Sequence, residues 1–465
     1  MSKKSGLMIR GRGLLMCLMG AVVLACFDPA HAAGENRERP NVLVIMVDDL
    51  GYGDLSSYGA KEMRTPHIDK LMSEGMRFNE FYSNCCVCSP TRAALLSGRY
   101  PEFVGIPGVV RKLDHSNWGF LTADSIMLPE LFQKAGYHTT LIGKWHLGRR
   151  KENCPNQRGF DEFIGFLEGM IDYWTHEHLG ENVMRKNQQI IDPEGHATDL
   201  ITQWSIEAIQ QRADSNAPFF HLLAYNAPHE PIQPPPEWLN KVQAREEGIS
   251  EKRALIVALI EHLDDRIGKV LQSLDATGLR GNTIVVFTSD NGGKIAAGSS
   301  NGLLRSGKTH VYEGGIKVPT CVRWPGRIQG GSTTDFRALT MDMVPTLADI
   351  CGVPIDHEID GRSFKQLLLK GSQKQFEHPV FHMWRQGETK EAMCHGDWKL
   401  VRDKTGTPFE LYNLANDPSE QHDLAAQEPE RMNKMIQVLE AHMAAAHSVP
   451  WKRPQSRPET GARPR

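Results

Sequence analysis

Cys88 opens the run Cys88-Ser89-Pro90-Thr91-Arg92, followed directly by Ala93-Ala94-Leu95-Leu96-Ser97-Gly98-Arg99. A proline in the first turn and a glycine after the last apolar residue mark a helix, with Ser89 near its cap. Cys88 therefore sits at a helix N-terminus, where free backbone N–H groups and the helix dipole favour an anion such as a sulfate or phosphate group. Two pairs, Asp48-Asp49 and Asp290-Asn291, each follow an apolar run and together offer only oxygen donors. Such a set selects a hard cation such as Ca²⁺ or Mg²⁺ over zinc or copper. Lys144, His146, His229 and Lys308 supply what cleavage of an anionic ester needs, namely cations to balance charge and an acid for the departing alkoxide.

These residues fall in motifs that together resemble the formylglycine-dependent sulfatases, arylsulfatase-like enzymes of the alkaline phosphatase superfamily. Cys-x-Pro-x-Arg with Leu96 and Gly98-Arg99 matches the family signature at every position. Further matches follow in the family's order through Asp48-Asp49-Leu50-Gly51-Tyr52-Gly53, Gly143-Lys144-Trp145-His146-Leu147-Gly148, Asn226-Ala227-Pro228-His229, Ser289-Asp290-Asn291-Gly292, and Lys308 with Glu313-Gly314-Gly315. The resemblance implies that a separate formylglycine-generating enzyme oxidises Cys88 to an aldehyde, whose hydrate carries two hydroxyls on one carbon. One hydroxyl attacks sulfur and expels the alcohol; the second loses its proton and releases inorganic sulfate by breaking C–O, a route closed to an ordinary serine. In similar enzymes the Arg92 position orients the diol and His146 accepts its proton during sulfate release. Lys144, Lys308 and His229 bind sulfate, and either His229 or Lys308 protonates the leaving group. Asp48, Asp49, Asp290 and Asn291, with the modified Cys88, coordinate Ca²⁺, which lowers the diol's pKa. His310, two residues after Lys308, is left open, and Asp264-Asp265, on a helix, reads as a solvated pair.

Apolar, β-branched runs lead into these motifs: Asn41 to Val47, Thr139 to Ile142, Phe219 to Leu223 and Thr283 to Thr288. They read as buried strands. Helices are expected between them, at Met127 to Ala135 and at Ala254 to Leu274, where Leu255, Leu259, Leu263, Ile267 and Val270 keep helical spacing. Alternating strands and helices give an α/β sheet covered on both faces, which binds ligands at its strands' carboxyl ends. The resemblance makes this an alkaline-phosphatase-like mixed sheet sandwiched by helices. After a crossing loop and helix from 354 to 375, short strands at Val380 to Trp384, Trp398 to Val401 and Glu410 to Tyr412 and a helix from Pro429 to Ala445 suggest a smaller α+β domain with an antiparallel sheet. The expected division is a catalytic domain over 34–375, a C-terminal domain over 376–448 and a disordered tail over 449–465.

At the other end, Lys3, Lys4, Arg10 and Arg12 precede an apolar stretch from Gly13 to Phe27 and the small-residue site Ala30-His31-Ala32. This reads as a signal peptide over 1–33, so the protein is exported, to the periplasm or the medium, with no transmembrane segment in the mature chain. Val23-Leu24-Ala25-Cys26 keeps open a lipid anchor through Cys26. A net charge of -3 over 465 residues argues against nucleic acid as a partner. The cysteine spacing fits neither a zinc site nor a disulfide framework, and buried free thiols are the simplest reading. Substrate choice falls to loops at Arg111-Lys112, His115, Trp118, Asp172-Tyr173-Trp174-Thr175-His176-Glu177-His178 and Trp384-Arg385, whose mix of aromatic and charged groups suggests a sulfated carbohydrate. The alternatives are a formylglycine-dependent phosphodiesterase or phosphonate monoester hydrolase, and a catalytically silent carbohydrate-binding homologue. The silent reading predicts loss of Cys88, a metal ligand or a clamp lysine, and all are present.

Overall fold

The computed structural model describes residues 39–112, 117–215 and 217–446. The expected signal segment with Cys26, the candidate His115 and the tail from 449 lie outside the described residues. Strand Asn41–Val47 is buried along its whole length, and its alternate side chains enter two separate cores. Val42, Val44 and Met46 join one, while Leu43, Ile45 and Val47 join the other. A strand covered on both faces has no polar side to show, which is why it reads as a continuous apolar run.

Around it lies a ten-stranded mixed sheet. Its middle is five parallel strands in the spatial order Thr283–Ser289, Asn41–Val47, Phe219–Ala224, His138–Lys144 and Glu162–Phe166. Thr320–Arg323 extends one side antiparallel, and Arg185–Lys186 with Gln189–Ile190 extends the other. Helices Cys88–Ser97, Leu128–Lys134 and Met343–Cys351 cover one face, and Pro66–Glu74, Ala197–Arg212 and Glu251–Ala276 the other. Each fully buried leucine, isoleucine, valine or phenylalanine contributes about 1.5–3 kcal/mol. The two cores therefore fix the sheet as a rigid platform for whatever leaves its strand ends.

Beyond it, a four-stranded antiparallel sheet pairs in chain order: Val380–Gln386, Glu388–His395, Trp398–Arg402 and Glu410–Asn413. Helix Pro429–Ala446 adds Met435 and Leu439 to its core, which also takes in Tyr82, Cys85, Cys86, Val311 and Tyr312. The second strand, Glu388–His395, was not among the expected elements. Its opening Glu-Thr-Lys-Glu carries no apolar alternation, and only its far half, Glu391 to Cys394, is buried.

Two local expectations are corrected. Helix Cys88–Ser97 is capped by Val87 without a side-chain bond, and Ser89 instead accepts a hydrogen bond from Val110 N at 3.0 Å. Asp264 is not solvated: it is 1 % exposed and accepts from His67 N at 3.1 Å and Ile68 N at 2.7 Å. It serves the free N–H groups at the start of helix Pro66–Glu74. Among the described residues all seven cysteines are unpaired, six of them buried, and no helix is long and apolar enough to cross a membrane.

Candidate active site

Strand register assembles the site. Val47 lies opposite Ser289 on neighbouring parallel strands, so Asp48-Asp49 and Asp290-Asn291 leave the sheet side by side. Lys144 ends the strand His138–Lys144, His146 follows it, and Asn226 to His229 follow Phe219–Ala224. Four strands thus deliver their polar residues to one carboxyl edge. The chain turns sharply there: Asp49 and His146 hold φ of 68° and 62°, in the left-handed region that costs non-glycine residues energy. Gly143 at φ 110° lets strands close up, since a Cβ would lie 1.9 Å from Ala224 O.

Cys88 faces this edge from the first turn of its helix. Arg92, one turn on, donates from Nε and Nη2 to Asp290 Oδ2 at 3.0 and 2.8 Å, and from Nη1 to Lys144 O at 3.3 Å. Lys144 Nζ lies 2.5 Å from Asp48 Oδ2. Lys308 Nζ is 2.7 Å from the Asp49 carboxylate and 3.6 Å from Cys88 Sγ. Asn291 Nδ2 donates to Asp49 Oδ1 at 2.8 Å, and His229 Nε2 sits 3.7 Å from Asp49 Oδ2. His146 Nε2 meets Val110 O at 2.8 Å, leaving Nδ1 buried without a partner. All ten residues carrying expected roles, counted without overlap as Asp48, Asp49, Cys88, Arg92, Lys144, His146, His229, Asp290, Asn291 and Lys308, meet in this one cluster.

Burial raises the Cys88 thiol, but Lys144 and Lys308 outweigh it and hold the group at about 7. The field at this position therefore favours negative charge on whatever atom the side chain carries. Burial also pushes Asp290 above the usual carboxylate range, helped by Asp48 and opposed by Arg92. Asp49 is held well below that range because Lys308 and His229 overcome burial. Burial, Lys144 and Arg92 drive His146 far down, so its imidazole is neutral. His229 moves up, as Asp49 and Asp48 overcome burial and Lys308.

The donor set fits a cation. Asp48 Oδ1 and Asn291 Oδ1 are buried and have no hydrogen-bond partner. One ligand atom each from Asp48, Asp49, Cys88 and His229 lies within 4.8 Å of the others. Oxygen atoms left bare beside three carboxylates suit a hard divalent ion.

Cys88, His146, His229 and Lys308 form part of the wall of a cavity of about 610 Å³. Of the loop candidates, Arg111, Lys112, His178 and Trp384 line it. The rest of the Asp172 to Glu177 stretch does not. Tyr173 is fully buried beneath the site, its hydroxyl 3.1 Å from Asn226 O and 2.9 Å from His229 O. His176 is buried with Nε2 on Gly195 O, and Trp174 meets the His196 ring edge-on. A turn at 173–175 and the left-handed His176, at φ 57°, break the chain before the short strand Glu177–His178, so Trp174 and His176 do not share the orientation of His178, a distinction that composition does not carry. Trp118 and the buried Arg385 are likewise not among the lining residues. His310 is engaged by Asp403, the residue after strand Trp398–Arg402, and is not among the residues that line the cavity.

Several supporting residues escaped the sequence reading. Val110 ties His146 to Ser89, and Gly169 leaves room for the imidazole, because a Cβ there would lie 2.5 Å from His146 Nε2. A glycine shortly after an apolar strand was the available signal for the latter. Glu313, visible in the sequence only as part of a motif, gains partners that were not: it accepts from Tyr82 OH and Lys399 Nζ, each at 2.8 Å, and Lys399 also meets Glu420 at 2.8 Å. This buried ion cluster joins the C-terminal sheet to the turn that carries Lys308.

Comparison with known proteins gives two family models. Sulfatase matches residues 40–353, and N-sulphoglucosamine sulphohydrolase, C-terminal, matches residues 306–448. The chain is 32% identical over 414 residues to N-acetylgalactosamine-6-sulfatase of Rattus norvegicus, covering 84% of this chain and 75% of that protein. It is 32% identical over 478 residues to arylsulfatase A of Homo sapiens, covering 90% and 91%. Among solved structures it resembles Ps i-CgsB in complex with k-i-k-neocarrahexaose, with a TM-score of 0.82 and 28% identity over 90% of this chain and 94% of that one.

Proposed function

This chain belongs to the sulfatase family, and from that premise we propose that it is an exported enzyme releasing inorganic sulfate from sulfated carbohydrate through a formylglycine made from Cys88. The observation that carries the reading is the placement of Cys88: at a helix N-terminus, 3.6 Å from Lys308 Nζ, in the wall of a cavity that His146 and His229 also line, with Arg92 one turn further along the same helix and bonded to Asp290 and Lys144 O. Export rests on the N-terminal pattern of residues 3–32. The division at residues 375 and 376, with the smaller sheet as a separate domain, belongs to the same proposal. The carbohydrate preference draws on relatives named for sulfated sugars and on the aromatic and cationic cavity wall.

Asp48, Asp49, Asp290 and Asn291, with position 88, would hold Ca²⁺. Bound there, the cation supplies positive charge beside the nucleophilic oxygen and the ester. The aldehyde hydrate at position 88 would supply that oxygen and a second hydroxyl, whose deprotonation re-forms the C=O bond as the C–O bond to sulfate breaks. Arg92, held by Asp290 and Lys144 O, fixes the geometry around position 88. Lys144 and Lys308 balance the charge of the sulfate oxygens. His229 spends Nδ1–H on Glu230 O at 2.7 Å and presents Nε2 to the site, so it gives its proton to the leaving oxygen, while Lys308 stays bound to Asp49. His146 is neutral, with Nε2–H on Val110 O, so its open Nδ1 takes the proton that must leave before sulfate departs.

The test is release of inorganic sulfate from nitrophenyl sulfate and from sulfated sugars by protein co-produced with a formylglycine-generating enzyme. Turnover lost in Cys88→Ala supports the reading. Cleavage of phosphodiesters with no sulfate release would replace it.

A further inference from the structure

Around Cys88 the fixed charges are matched, Asp48, Asp49 and Asp290 facing Arg92, Lys144 and Lys308. Further out they are not. Among the described residues, no aspartate or glutamate lines the cavity. Lys112 on its wall is neutralised: its Nζ lies 2.7 Å from Glu181 and donates to His178 O at 2.8 Å. Arg111 beside it is exposed, and among the described residues its guanidinium makes no hydrogen bond or ion pair. A cation on a wall whose described residues include no acid is a standing demand for an anion from solution.

The backbone that carries Arg111 is firmly held. Val110 N donates to Ser89 Oγ at 3.0 Å, Val110 O accepts from His146 Nε2 at 2.8 Å, and Arg111 N donates to Asn117 Oδ1. Arg111 is thus mounted one residue from a bridge between the helix of Cys88 and His146. An anion it grips is held at a set offset from the bond to be broken. Elsewhere on the wall Trp384 and the 66 % exposed Leu179 offer apolar surface for a sugar ring. A volume near 610 Å³ admits more than a bare sulfate group.

We propose that Arg111 forms a second anion subsite, so that the preferred substrate is a saccharide bearing, besides the sulfate to be removed, another sulfate or a carboxylate on the same or the neighbouring sugar. This rests on the sulfatase reading above. A guanidinium pairs in two-pronged fashion with either group, and lysine does so less well.

The experiment compares matured parent, Arg111→Ala and Arg111→Lys on four probes: nitrophenyl sulfate, monosulfated hexosamines, disulfated hexosamines, and monosulfated disaccharides containing a uronate. Arg111→Ala should lose roughly 10- to 100-fold in kcat/KM on one doubly anionic class, mainly through KM, while nitrophenyl sulfate falls less than about threefold. Arg111→Lys should recover part of the loss, and added salt should erode the parent's preference. The class that suffers says whether the second anion is sulfate or carboxylate. Equal losses on every probe, or none on either doubly anionic class, would overturn the subsite while leaving sulfatase activity standing. A matured parent that releases sulfate from no probe would overturn the functional reading itself.

Discussion

Stripping the protein with a chelator and returning Ca²⁺ should move its melting temperature by an amount the site lets one work out. Asp48 Oδ1 and Asn291 Oδ1 are buried without partners beside Asp49 and Asp290, a donor set that the unfolded chain does not assemble. An ion binding only the native state at one hundred times its Kd adds about 2.7 kcal/mol. Unfolding entropy near 2.1 cal/mol/K per residue, over the roughly 400 described residues, is about 0.85 kcal/mol/K, so the melting temperature should rise by about 3 °C. Differential scanning calorimetry across a Ca²⁺ titration reads this shift directly. Asp48→Asn keeps the shape and removes a ligand charge, and should abolish most of the rise. A melting temperature indifferent to Ca²⁺ after chelation would refute the reasoning, as would an Asp48→Asn protein that responds like the parent.

Tyr173→Phe removes the hydroxyl bonded to Asn226 O and His229 O; stability should drop by about 1–2 kcal/mol in urea titration, with kcat falling more than KM changes, and an unaltered kcat would mean that His229 is held otherwise. Asp264→Ala strips His67 N and Ile68 N of their acceptor and should cost about 1–3 kcal/mol; an unchanged denaturation midpoint would return Asp264 to the solvated reading. Burial, then the neighbouring His138, drop His221 from 6.5 to about 3. Between those values the unfolded chain takes up a proton that the folded one refuses. Stability from this group is therefore full above about 6.5 and declines as pH falls, by up to ~1.4 kcal/mol per unit. His221→Gln should flatten the stability profile over that window, and an identical slope would contradict the assignment.

Much of this was legible before any coordinates, for a physical reason. Strand Asn41–Val47 was read to the residue because both its faces are buried, and a buried parallel strand has little freedom in composition. The polar residues at its end and at the ends of its neighbours stand out against those runs, so the candidate cluster was visible as a set of strand-end motifs. What stayed hidden was decided across long sequence distances. Asp264 looks like any helix-surface acid until helix Pro66–Glu74 brings its bare N–H groups against it. His176 and His178 are two residues apart, yet one is buried on Gly195 O and the other lines the cavity. Ser89 looks like a cap but lies inside the first turn, because the helix already starts at Cys88 and its cap position falls to Val87, which has no side-chain acceptor; the Ser89 hydroxyl bonds to Val110 N instead. Strand Glu388–His395 pairs on both sides while showing an apolar pattern only in its second half.

The measurement closest to the central claim is the mass of the tryptic peptide Phe78 to Arg92 from protein made with a formylglycine-generating partner, taken together with sulfate release by the same sample. Aldehyde or its hydrate at position 88, with release rising in proportion to the converted fraction and absent in Cys88→Ala, is the predicted result. Full conversion without sulfate release from any ester, or release that persists with Cys88 replaced by alanine, would contradict the account.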